Sequence, residues 1–142
     1  MLLGEHEHSL DDKNRLTLPA RLRAHLGEQV IVTRGIDGSL DVYPRDEWER
    51  ASQRIRGLDT LSAGGRTMQR LFASSATPVE VDRQGRIVIP AALLERLGIG
   101  RDVTVAGVFD HLEIWDRAAW REQQRDMEGS AEDVAERLAN GN

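Results

Sequence analysis

Asp11 and Arg15 stand four residues apart with Asn14 directly before the arginine, and Asp82, Gly85 and Arg86 repeat this arrangement 71 positions later. A guanidinium at the root of a strand, just past a tight turn, projects from a rigid edge. It is also the group that pairs in a bidentate way with O6 and N7 of guanine in the major groove. The aspartate across the turn is suited to hold that guanidinium in one direction before any ligand arrives. Asn14 and Gly85 are the residue types that best tolerate positive φ, so each phrase predicts a left-handed turn. Lys13 and Arg83 flank the loops, and Arg21 and Arg23 follow on the next element. These four suit phosphate contacts, which hold register and carry little sequence information. The plainer alternative is that the Asp–Arg pairs only close turns and the remaining arginines form a solvated face.

Other chemistries find little support. There are no cysteines, which removes disulfides, thiolate metal sites and Cys nucleophiles. No Gly-rich phosphate loop, serine-nucleophile motif or suitably spaced carboxylate pair occurs. In "EHEH" (5–8), His6 and His8 would share one face of a strand, but a metal site usually needs three or four ligands. Neither His25 nor His111 has a partner suggested by the sequence. The expectation is a non-enzymatic protein with no cofactor, no bound metal and no small-molecule substrate.

The elements that must position these residues come in two copies. "DDKNRLTLPARLR" (11–23) returns as "DRQGRIVIPAALL" (82–94), "VIV" (30–32) as "VTV" (103–105), and "LDVYPRDEW" (40–48) as "LEIWDRAAW" (112–120). Agreement over about 40 residues, with Pro, Gly and Trp in register, reads as an internal duplication. In each copy "RLTLP" or "RIVIP" alternates like a strand and ends at Pro, which cannot donate to a ladder. That Pro suits the start of a helix, and Gly27 or Gly98 suits its end. Two strands follow, joined at "DGS" (37–39) and "FDH" (109–111), then a helix from near Arg45 or Arg117. Between the copies, Met68, Leu71 and Phe72 have helical spacing, with loops expected over 61–65 and 74–78. The end predicts a short acidic amphipathic helix that then frays. Trp48, Trp115, Trp120, Tyr43 and Phe109 read as core or subunit-contact residues.

The formal charge of −5 argues against a general electrostatic nucleic-acid binder. Its distribution follows the repeated phrase: residues 82–101 hold four Arg against two acids, and the stretch from Asp116 onward holds seven acids against four Arg. No apolar run approaches a membrane span, and "MLLGEHEH" lacks the pattern of a secretion signal, so a cytoplasmic protein without a membrane partner is expected.

The order, spacing and duplication of "LDDKNRLTLP", "LDVYP..EW", "VDRQGRIVIP" and "LEIWD..AW" resemble the MraZ family of bacterial transcriptional regulators. The resemblance implies an α+β fold that is mostly β. In it, two tandem AbrB-type units share a swapped-hairpin β-barrel core with peripheral helices. The units would be residues 4–50 and 77–123, joined by a helical connector and linker (51–76) and followed by an acidic C-terminal helix or tail (124–142). It also implies double-stranded DNA as partner, nucleoid association and a homo-oligomer in the form of a ring. The sites implied are closely spaced direct repeats ahead of the family's own division and cell-wall gene cluster. The loop residues Asp11, Arg15, Asp82 and Arg86 carry the family signature, which more usually has Gly where Asn14 stands.

Magnitudes support several copies acting together. A good Arg–guanine pair supplies about 1–3 kcal/mol of discrimination, whereas specific binding typically exceeds non-specific binding by about 4–10 kcal/mol. Subunits joined on repeated sites add their contributions through effective concentration. An antitoxin-like protein-interaction module on the same fold is the competing reading; such proteins usually pair one unit with a long tail, whereas here the unit is doubled and the tail is short.

Overall fold

The structure is a computed structural model describing residues 1–141. The first copy runs β1 (Glu5–Ser9), β2 (Arg15–Thr17), α1 (Ala20–Leu26), β3 (Gln29–Arg34), β4 (Leu40–Pro44) and α2 (Arg45–Arg56). Helix α3 (Ala63–Ser75) leads to the second: β5 (Thr77–Glu80), β6 (Arg86–Val88), α4 (Ala91–Leu97), β7 (Asp102–Val108), β8 (His111–Asp116) and α5 (Arg117–Ala139). The fold class is α+β. Pro19 and Pro90 precede the short helices and Gly27 and Gly98 follow them, both with positive φ, as the sequence predicts.

The copies exchange strands. One sheet has the order β1-β7-β8-β4-β3-β5, and β2 pairs with β6 in a separate two-stranded ribbon. The first strand of copy one thus joins the second copy's hairpin through β7, and β5 of copy two joins the first copy's hairpin through β3. Pro78 sits in β5, at the sheet edge, where a missing N–H costs no ladder bond. β-Branched residues fill the inner strands, and Val30, Val32, Val42, Val103, Val105 and Ile114 are all fully buried. Leu16 and Ile87, which face each other in the ribbon, belong to that same buried cluster, so ribbon and sheet share one core.

Three expectations change. Helix α3 begins at Ala63 rather than after Gly65, because the Ser62 hydroxyl oxygen accepts from Gly65 N at 2.9 Å and caps it. Its last residue, Ser75, is buried and satisfied: the hydroxyl donates to the Leu71 carbonyl at 2.6 Å and meets Thr33 Oγ1 at 2.9 Å. The C-terminal segment continues α5 without a break from Arg117 to Ala139. Phe109 is 66% exposed in the β7–β8 turn, with φ of 65°, so of the two roles expected for it, core or subunit contact, the core is excluded.

Candidate nucleic-acid interface

The two Asp–Arg loops are built alike. Asp11 Oδ1 accepts from the backbone N–H of Lys13 (2.9 Å) and Arg15 (2.8 Å), and Oδ2 accepts from Arg15 Nε at 2.6 Å. Asp82 Oδ1 accepts from Gln84 N (2.9 Å) and Arg86 N (2.8 Å), and Oδ2 from Arg86 Nε at 2.8 Å. Asn14 and Gly85 take φ of 57° and 75°, which lets each chain reverse and send its N–H back to the aspartate carbonyl. The hydrogen bonds arriving from the Arg15 backbone, more than the guanidinium itself, pull the Asp11 carboxyl down to about 2; the same arrangement lowers Asp82. Both carboxylates are therefore ionised throughout the neutral range and grip their arginines by Nε alone. The terminal guanidinium nitrogens make no hydrogen bond among the described residues, and they are the ones a bidentate contact would use.

The ribbon sets the relation between the two arginines. Leu16 and Ile87 pair at its centre and point inward, so Arg15, Thr17, Arg86 and Val88 share the outer face. Arg15 opposes Val88 and Arg86 opposes Thr17, which puts the guanidiniums at diagonal corners of an exposed strand pair. A two-stranded ribbon is one of the shapes the major groove admits.

The loops differ in what covers them. A Cβ at Gly85 would collide with the Arg23 side chain, which reaches over from α1 and donates from Nε to the Leu18 carbonyl at 3.1 Å. The residue equivalent to Arg23 is Leu94, which lines a groove together with Asn14. A shorter, apolar neighbour thus accompanies the loop that carries a side chain, and a long cation accompanies the loop that does not.

Lys13 and Arg83 are exposed on the loops. Arg21, exposed on α1, lies 3.3 Å from His6 Nε2, a contact that turns it toward β1 rather than the ribbon. Arg101 was not among the candidates, although the basic stretch 82–101 contains it. Its Nη2 donates to Asp12 at 2.7 Å and its Nε to the Leu10 carbonyl at 3.0 Å, tying the first loop to the second copy. His6 and His8 lie on one face of β1, and no third ligand joins them; the three-residue group with metal-ligand geometry among the described residues is Asp41, His111 and Glu113.

Fold and site together define a duplicated, strand-exchanged protein that presents two preset arginines on one ribbon. The family model described as "MraZ protein, putative antitoxin-like" matches residues 1–71 and again 72–142, and the chain belongs to that family. Proteins named "Transcriptional regulator MraZ" are similar along nearly the whole length. That of Heliobacterium modesticaldum is 44% identical over 138 residues, covering 97% of this chain and 96% of its own. That of Symbiobacterium thermophilum is 43% identical over 136 residues, covering 96% and 99%. That of Caldanaerobacter subterraneus subsp. tengcongensis is 39% identical over 142 residues, covering 100% and 99%. These relatives are transcriptional regulators by name.

Proposed function

We propose that this chain is a sequence-specific DNA-binding transcriptional regulator that reads guanines with Arg15 and Arg86. The observation that carries this reading is the pair of matching loops, each aspartate fixing Nε and leaving the outer guanidinium nitrogens free on the exposed ribbon. Lys13 and Arg83 supply phosphate contacts, with Arg21 and Arg23 on α1 as further phosphate-contact residues, and Asn14 and Gly85 shape the turns. The exchange of β1 and β5 supports reading the core as a swapped-hairpin barrel, with 4–50 and 77–123 as the DNA-binding units, 51–76 as connector and 124–142 as tail. The family resemblance further suggests repression at direct repeats upstream of the chain's own division and cell-wall gene cluster, by a homo-oligomeric ring on nucleoid DNA. Sites about 10 bp apart would present the same side of the duplex to successive subunits.

The test is fluorescence anisotropy with a duplex from the protein's own upstream region against a shuffled duplex, at two salt concentrations. The Arg15→Ala/Arg86→Ala variant should lose the preference for the native duplex, at least tenfold in affinity ratio. Its melting temperature should stay close to that of the wild type, because solvent screens both ion pairs. No preference by the wild type at either salt would overturn the reading. The antitoxin-like alternative gains support from α5, where Met127, Val134 and Leu138 are exposed along one face; it would then take precedence.

A further inference from the structure

We propose that Asp41, His111 and Glu113 form a binding site for one divalent transition-metal ion of the zinc type, on the seam between the two copies. Asp41 lies in β4 of the first copy, and His111 and Glu113 lie in β8 of the second. Asp41 pairs directly with Glu113 in the β4–β8 ladder, and the two are equivalent positions of the duplicated phrases "LDVYP" and "LEIWD". The duplication therefore puts two carboxylates face to face on its own pseudo-twofold axis. Like charges directly opposite on paired strands are destabilising, so this position calls for a cation.

The donors are arranged for one. One ligand atom from each residue lies within 4.8 Å of the others. His111 Nε2 is 3.8 Å from Glu113 Oε2, too far for a hydrogen bond. It suits two donors that each approach the same ion to about 2.0–2.2 Å, once the cluster tightens slightly. Each ligand is also oriented from behind. Asp110 Oδ1 meets His111 Nδ1 at 2.6 Å, Trp115 Nε1 donates to Glu113 Oε1 at 3.0 Å, and Ser39 Oγ donates to Asp41 Oδ1 at 2.9 Å. Outer partners of this kind, a carboxylate behind the imidazole above all, are what metal-bound ligands use to fix tautomer and direction. They leave Nε2, Oε2 and Oδ2 for an ion.

Asp41 gives an independent reason. It is 6% exposed, and its Oδ2 accepts no hydrogen bond among the described residues. A Cβ at Gly35 would come within 2.8 Å of Asp41 Oδ1, so the 35–39 turn closes on this carboxylate as tightly as backbone allows. Tyr43 stacks on the His111 ring at 4.8 Å between centroids and fixes its plane. One imidazole with two carboxylates favours zinc, cobalt or manganese over magnesium and calcium. Three protein donors leave a position for water on the side where Glu113 is 26% exposed.

The rival occupant is a proton, with His111 as an imidazolium between the carboxylates. Full-length protein stripped with chelator is titrated with Zn2+ by calorimetry and with Co2+ by visible absorption. The expected result is one ion per chain, a cobalt spectrum of low coordination number and a higher melting temperature. A His111→Gln variant should lose uptake, and Glu113→Gln should weaken it at least tenfold, while His6→Gln/His8→Gln retains it. Should His111→Gln fail to fold, nitrogen NMR of the wild type decides: Zn2+ must shift His111 Nε2 and spare His6 and His8. No uptake by the folded wild type, uptake undiminished in the His111 variant, or a shift confined to His6 and His8 would overturn the proposal.

Discussion

Asn14 and Gly85 occupy the same place in the two loops and are not equivalent. Gly85→Asn would put a side chain into the path of Arg23, an overpacking cost of about 1–3 kcal/mol on top of the left-handed backbone. Asn14→Gly removes no such contact and should change stability by less than about 1 kcal/mol. Adding Arg23→Leu to Gly85→Asn recreates the first loop's pairing and should recover more than half of the loss. Urea denaturation of the four variants as a double-mutant cycle checks this; additive effects would show that Arg23 does not press on the turn. A second residue-scale prediction concerns acid. Asp11 binds protons more weakly folded, at about 2, than at its ordinary value of 3.8. Its contribution is therefore complete above about pH 4 and is lost as pH falls through about 2. Melting curves from pH 5 to pH 2 should steepen in this window for the wild type and flatten for Asp11→Asn.

Among the elements, α5 touches the body only at its beginning. Trp120 Nε1 and Gln124 Nε2 donate to the Glu5 carboxylate at 2.7 and 3.1 Å, and no residue of the helix is buried. Ending the chain after Gln124 should leave the urea midpoint within about 0.5 kcal/mol of stability, and a larger loss would mean that the outer turns are covered in solution. The same helix marks the limit of what the sequence tells. Strands bracketed by Pro and helices closed by Gly27 and Gly98 were legible because each signal is local. The unbroken run of α5 was not, because Gly129 and Ser130 in its middle are loop formers by type and only the structure shows the helix passing through them. The start of α3 hid behind Gly64 and Gly65, and only the Ser62 cap resolves it. Of the interface, the Asp–Arg loops were legible from spacing. The crossing of Arg23 over Gly85, the Arg101–Asp12 tie and the Asp41–His111–Glu113 cluster were not, since each joins residues that meet only after the copies exchange strands.

At the scale of the molecule, one core serves both copies, so damage to it is shared. Leu16→Ala removes a fully buried side chain that faces Ile87 at the centre of the ribbon and should cost about 2–5 kcal/mol. Unfolding should remain a single transition followed alike by tryptophan fluorescence and circular dichroism; two separated transitions would mean that the copies fold independently. The uneven cover of the two turns has a further consequence. Two identical chains that meet across a symmetry axis repeat every mutation on both sides, and whatever they recognise together is bound to be a palindrome. Here both halves are written in one gene and can change independently, and Asn14 beside Leu94 differs from Gly85 beneath Arg23. The ribbon has a head and a tail, so a duplex bound to it as proposed would be read in one direction.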